Sequence, residues 1–223
     1  MPPSKALILA SASPRRRQLL ALGGWEFEAH AVPADETPLP GERPEAFVRR
    51  LSETKARMAA QAAPTDALVI AADTTVTIDE HILNKPGDAP AALRMLRQLR
   101  GREHEVLTGL TVLDTATGTA FTDLARSRVP MRAYSEAEIS AYVASGDPLD
   151  KAGAYAIQHP GFQPVDRDQF RDCFANVMGL PLCHLLRRLR RLGVDAAPDL
   201  PAACQRFIPY DCPVFEKILS ENA

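Results

Sequence analysis

Near its start the chain reads KALILASASPRRRQLLALGG (Lys5–Gly24), a continuously apolar stretch followed without a spacer by a serine-rich turn and a helical pattern. No other feature narrows the possible folds so far. KALILA suits a buried strand. The residues after it read as a helix start, with Ser13 able to cap, Pro14 at the first helical position where a missing N–H costs nothing, and Gly23-Gly24 as the stop. A strand that feeds straight into a helix belongs to α/β architecture. The charges are out of place, however, because a helix N-terminus is already positive and favours anions, yet Arg15, Arg16 and Arg17 stand in its first turn. A bound anion removes the conflict. The converging N–H groups and the hydroxyls of Ser11 and Ser13 form a cradle for one, and the Arg15 and Arg16 guanidinium forks match phosphate oxygens. The alternative is that these arginines fan out into water, since successive helical residues point about 100° apart; Arg17 is read that way.

Further along, FVRRLSETKARM within Pro44 to about Ala63 carries apolar positions at helical spacing. DALVIAADTTVTID (Asp66–Asp79) reads as a strand, with EHILNKP as its hairpin partner. A helix from about Pro90 to Arg100 closes at Gly101, and two β-rich runs flank the turn TATG. Ser135 and Glu138 form a capping box that opens a helix through Val143. LPLCHLLRRLRRLG is a late amphipathic helix whose Arg187, Arg188, Arg190 and Arg191 read as a solvated face. The Pro-rich AAPDLPAACQRFIPYDCP after it reads as an extended appendage leading to a short last helix. The order of elements gives α/β with a mixed sheet. Residues 1–193 are assigned to one domain and 194–223 to a C-terminal extension.

With 223 residues the chain is long enough for one large domain or two small lobes, and its net charge of −2 argues against tracking a nucleic-acid polymer. No stretch approaches the roughly 20 apolar residues of a membrane span, and no signal-peptide core is present, so a cytoplasmic location is expected. The four cysteines, Cys173, Cys183, Cys204 and Cys212, fit no CxxC pattern and read as buried thiols, with a metal or iron–sulfur role as the alternative.

Phosphate loops of the GxxxxGK[ST] type, GxGxxG, GxSxG and HExxH are all absent. What remains is a set of charged residues. Asp73 in VIAADTTV is expected at the end of an apolar strand run, where α/β sheets present ligands, and could hold a metal, orient water or cap a turn. Glu36 in the ADET loop is a second acid. Lys55 and Lys85 can neutralise phosphate oxygens or simply face solvent. SGDPLDKAGAYAIQ (Ser145–Gln158) packs Asp147, Asp150 and Lys151 into a turn, then lets small residues bring backbone close to a ligand before Tyr155 and Gln158.

Taken in order, LASASPRR, LSETKA, AADTTV, LNKP, DPLDKAGAYAIQ and VMGLPL resemble the Maf family of nucleotide pyrophosphatases, also called septum formation inhibitor proteins. The matching strings run from Leu9 to Leu182. The resemblance implies a mixed twisted sheet in two lobes around a central cleft, similar to inosine triphosphatase, commonly in a homodimer. It implies hydrolysis of a nucleoside triphosphate to monophosphate and pyrophosphate with a divalent cation, Mg²⁺ or Mn²⁺. By position, Ser11, Arg15 and Arg16 correspond to the phosphate motif, Lys55 and Lys85 to cleft lysines, Asp73 to the catalytic acid and metal ligand, Gln158 to a substrate contact and Glu36 to an acidic position in the early loop. ADT and DKAGAYAIQ look like the branch acting on dTTP and UTP. The chain departs from the pattern at Asp172-Cys173-Phe174 and after Leu192. The rival reading is a nucleotide-binding regulator of cell division without turnover.

Overall fold

The protein is described by a computed structural model covering residues 5–196 and 199–221. Its organising element is strand β3 (Ala67–Ile78), buried along almost its whole length. β1 (Ala6–Leu9) pairs with it in parallel as far as Ile70, and β2 (Phe27–Ala29) extends the sheet beyond β1, also in parallel. β5 (Glu103–Asp114) runs antiparallel to nearly all of β3, and β6 (Thr119–Pro130) returns antiparallel to β5. β4 (His81–Leu83) folds back on β3 only from Val76 onward. The order is β2-β1-β3-β5-β6, with β4 on β3. A mixed six-stranded sheet therefore forms as the order of elements implies. WEFEAHAV contributes only its three central residues to it.

These pairings leave a notch. Between Ile70, where β1 stops, and Val76, where β4 begins, one edge of β3 has no strand partner among the described residues. Asp73 and Thr74 lie in that gap. Asp73 ends the apolar run but not the strand, which continues, as read, to Ile78; at this point it is the neighbouring strand that ends.

Helix α1 (Pro14–Ala21) follows β1 directly, capped by Ser13, whose Oγ accepts from the Arg16 N–H. Helix α2 (Pro44–Ala60) covers one face of the sheet, packing Ala56 and Ala59 against Ile8, Val69 and Ala71, and Phe47, Val48 and Leu51 against Leu107. The helix comes unusually close at Gly109, where a Cβ would stand 2.1 Å from the Val48 carbonyl oxygen. Only glycine permits that approach.

The opposite face carries the larger core, built with α3 (Ala89–Leu99), α4 (Glu136–Ala144), the short α5 (Phe174–Val177) and α6 (Leu182–Arg191). The expected Ser135–Glu138 capping box is present at α4. Two expectations fail at the C-terminal end. The segment read as extended contains α7 (Leu200–Phe207), capped by Asp199, before α8 (Phe215–Ser220), and it buries Leu200, Ile208 and Ile218 in the main core. An aspartate cap followed by proline in the first turn was a helix signal that the proline content masked. Arg187 is likewise not solvated: it is buried and donates to the Ile218 carbonyl and to Glu221, while Arg188 reaches Asp123 and lies over the Phe121 ring. Arg190 and Arg191 do face water. No helix among the described residues is long and apolar enough to cross a membrane.

Candidate active site

One cleft, about 1820 Å³ counted out to open solvent, opens at the notch in the sheet. Ser11, Arg15, Arg16, Glu36, Lys55, Asp73, Lys85 and Gln158 all line it. Residues spread over nearly 150 positions of sequence thus meet in one hollow, and the reason lies in strand geometry. Successive residues of a strand point to opposite faces, so Asp73 continues the Ala67, Val69, Ala71 row that packs under α2, whereas Thr74 belongs to the other face. At an open edge both faces reach the same space.

On the α2 side the charges form a chain. Lys55, carried near the middle of α2 and buried, donates to Asp73 Oδ1 at 2.6 Å and to Glu36 Oε1 at 2.6 Å. Lys85, just after β4, donates to Glu36 Oε2 at 3.1 Å. Burial of the Glu36 carboxyl favours its neutral form, but the Lys55 hydrogen bond and the charges of Lys55 and Lys85 outweigh this and hold its pKa below the usual carboxylate range. Glu36 is therefore ionised at neutral pH.

On the other side of the notch the pattern changes. Arg16 donates from Nε to the Gly179 carbonyl (2.8 Å), from one terminal nitrogen to Ser11 Oγ (3.4 Å) and from the other to Thr74 Oγ1 (3.2 Å). Every one of these acceptors is neutral. Burial lowers the Arg16 pKa and the Asp73 charge partly restores it; a guanidinium stays charged throughout. Neither Arg15 nor Arg16 has a carboxylate within ion-pairing distance among the described residues. The cleft lining as a whole carries Arg15, Arg16, Lys55, Lys85 and Lys151 against Glu36, Asp73 and Asp150, a surplus of two positive charges in a chain whose net charge is −2.

Two contributors, Thr74 and Gly179, were not singled out from sequence, whereas Lys151 and Tyr155 were. Thr74 passes the Arg16 hydrogen bond on to Thr108 at 2.9 Å, and Gly179, at φ 108°, offers Arg16 its carbonyl from the VMGLPL turn. A Cβ on Gly179 would meet Arg16 Nε at 3.4 Å and Thr74 Oγ1 at 3.5 Å, ordinary contact distances, so it is the left-handed φ that calls for glycine at this corner. Lys151 is buried and donates to Asp147 and Asp150, bracing the turn that carries the Gly153–Gln158 wall. Gly153 at φ 67° and Ala154 at φ 61° fold that wall tightly against Val76. Tyr155 lines the cleft and hydrogen-bonds His104 Nε2 at 2.8 Å behind it.

The family model described as Maf-like protein matches residues 6–192, which span every group of this cleft. The chain belongs to the Maf family. Maf relatives similar to it include a protein of Geobacter metallireducens, 43% identical over 193 residues that cover 86% of this chain and 99% of the relative. A protein of Methylococcus capsulatus is 45% identical, covering 88% and 96%, and one of Anaeromyxobacter dehalogenans is 46% identical, covering 87% and 98%. All three are named dTTP/UTP pyrophosphatase. Among solved structures, the Ham1 protein of Staphylococcus aureus aligns over 92% of this Maf chain and 98% of its own with a TM-score of 0.47 and 11% identity.

Proposed function

We propose that this chain hydrolyses nucleoside triphosphates, dTTP and UTP foremost, to the monophosphate and pyrophosphate. The observation that carries the reading is the pair Arg15 and Arg16, two cations in the cleft with no carboxylate partner among the described residues, beside a helix N-terminus that adds its own positive end. A triphosphate brings about four negative charges near neutral pH, and catalysis of phosphoryl chemistry is chiefly positioning and charge stabilisation. Arg15, Arg16 and Ser11 bind the phosphate chain on one side of the notch. Lys55 and Lys85 face it from the other, where they offset charge that grows on the departing pyrophosphate.

Asp73 and Glu36 supply the acid–base side. Their carboxylates share one ammonium, that of Lys55, which holds them near each other and orients both toward the cleft. Water attacks the α-phosphorus and gives its proton to a carboxylate at this point, for which Asp73, buried and fixed by β3, is the assigned base. Two carboxylates with only oxygen donors also suit a hard divalent cation. No cluster of three or more Asp, Glu, His or Cys forms a cage among the described residues, as fits a Mg²⁺ or Mn²⁺ that completes its shell with water and substrate phosphates. Asp73 and Glu36 would hold it, and when bound it neutralises phosphate charge. Gln158, in the same lining, contacts the nucleoside. The reading assigns the activity to residues 1–193, leaves 194–223 as an addition to them, and includes a homodimer in the cytoplasm.

A panel of nucleoside triphosphates assayed for pyrophosphate release tests class, bond and base together. Pyrophosphate from dTTP and UTP ahead of the purine nucleotides is expected. Release of inorganic phosphate instead, or nucleotide binding with no product, overturns the reading, the latter in favour of a regulator without turnover.

A further inference from the structure

Gln158 is exposed in the cleft lining, so the place of its amide is decided by the backbone that carries it. That backbone is a tight turn, Ala156–His159, closed by the His159 N–H donating to the Ala156 carbonyl at 3.2 Å, with Ile157 and Gln158 at its tip. One side chain from outside the cleft holds both ends of this turn. It is Tyr142, buried in α4 and not itself part of the cleft lining. Its hydroxyl accepts from the Ala156 N–H at 3.1 Å and donates to Asp147 Oδ2 at 2.7 Å. Its ring stacks on Phe162, with centroids 4.4 Å apart and planes at 20°, and meets the His159 ring edge-on at 4.9 Å. His159 is fixed in turn, since its Nδ1 accepts from the N–H groups of Gly161 and Phe162.

The direction of the hydroxyl follows from the charge beside it. Burial favours a neutral Asp147 carboxyl, but the hydrogen bonds from Tyr142 and Lys151 and the Lys151 charge outweigh this and hold its pKa below the usual carboxylate range. An ionised carboxylate only accepts, so the Tyr142 proton goes to Asp147 and an oxygen lone pair is left for the Ala156 N–H. Lys151 donates to the other oxygen of the same carboxylate at 3.0 Å. The run Lys151, Asp147, Tyr142, Ala156 thus ties the start of the cleft wall to the turn at its end. Without the hydroxyl the Ala156 N–H is a buried donor lacking its partner, a state that costs more than the bond contributes, and the turn relieves it by shifting.

We infer that Tyr142 is a positioning residue for the nucleoside end of the substrate, a role that rests on the nucleoside contact assigned to Gln158. Tyr142 touches no substrate; through the Ala156–His159 turn it sets the place from which the Gln158 amide meets the nucleoside. The phosphate-binding arginines and Asp73 stand on α1 and β3. Tyr142 therefore governs KM and base preference and leaves the chemical step alone.

The test compares the full-length parent with Tyr142→Phe, which keeps the ring between Phe162 and His159, with Gln158→Ala and with the double variant, each checked for folding by circular dichroism. With dTTP and UTP, Tyr142→Phe should raise KM about tenfold, the equivalent of one buried hydrogen bond, and change kcat by less than about twofold. The preference for these nucleotides over purine triphosphates should narrow. The double variant should match Gln158→Ala alone, because loosening the clamp has no effect once the clamped side chain is gone. Asp147→Asn, which leaves the hydroxyl in place and weakens its hold, should move KM the same way by less; it carries the test if Tyr142→Phe does not fold, and an unmoved KM there overturns the inference equally. So does an unchanged KM in a folded Tyr142→Phe, a multiplication of the two effects in the double variant, or a fall in kcat at constant KM. Parental KM in Gln158→Ala instead overturns the nucleoside contact itself, and the positioning role with it. If the parent binds nucleotide without turnover, the same comparison is made on calorimetric dissociation constants, so failure of the hydrolytic reading and failure of the Tyr142 role are told apart.

Discussion

Arg16 and Asp73 stand on opposite faces of one sheet and do different jobs, and single substitutions separate them. Arg16→Ala removes a charge from a site where every acceptor is neutral, so nucleotide binding should weaken by about 1.5–3 kcal/mol, the worth of a charge-assisted hydrogen bond, while the fold persists. Calorimetric titration with a slowly hydrolysed triphosphate reads this, and an unchanged binding constant leaves the arginine a merely structural tie on Gly179. Asp73→Asn keeps the shape and lets the Lys55 ammonium still donate, now to a neutral amide oxygen, but loses the base. Turnover of dTTP should fall on the order of 10²–10⁴-fold with intact circular dichroism. Parental rates from the purified variant would remove Asp73 from the chemistry. Both residues were legible in the sequence as charges in odd surroundings. Thr74 and Gly179 were not, because their role is to meet a side chain more than fifty residues away, and nothing local in DTT or MGL announces such a meeting.

Secondary-structure elements place these groups through two close fits. Helix α2 can bring Lys55 onto Asp73 only because Gly109, the residue paired with Asp73 across β3 and β5, has no side chain to hold the helix off. Gly109→Ala should therefore cost about 1–3 kcal/mol by overpacking, read by urea unfolding, and should lower turnover as well, since the helix must shift where it carries Lys55. Full stability in the alanine variant would mean that the contact relaxes freely. A lone glycine inside a strand run was a readable sign of close backbone approach, although the partner was not. The order of elements, the Ser13 and Ser135 caps and the β3–β4 hairpin followed from local patterning. The helix α7 and the burial of Arg187 did not, since proline-rich composition and arginine repeats describe a segment's average, whereas docking on α6 decided both.

For the molecule as a whole, the buried histidine behind the cleft adds to the response to acid. His104 is almost fully enclosed between β5 and Tyr155, and burial pushes its pKa down to about 3. The unfolded chain binds a proton there near pH 6.5 and the native one does not until about pH 3, so the neutral ring's contribution is complete above 6.5 and is lost as pH falls through that window, at up to ~1.4 kcal/mol per pH unit. Unfolding free energies measured between pH 7 and 4 should decline more steeply in the parent than in His104→Gln; parallel slopes would mean that the ring takes up its proton without unfolding. At this scale the expected mixed α/β sheet and its cleft were accessible from sequence because ordered motifs carry topology.

The gap beside β3 has a consequence for how this protein can vary. An address defined by the halting of one short strand and the late arrival of another is erased by lengthening either of them: two or three added β residues after Leu9 would zip along Ala71–Asp73, seal the doorway, and leave a sturdier sheet with both carboxylates and arginines walled apart. Loop insertions beyond Ala10 that stay irregular carry no such risk, so tolerance to growth at this spot should depend on the conformation of what is inserted far more than on its length.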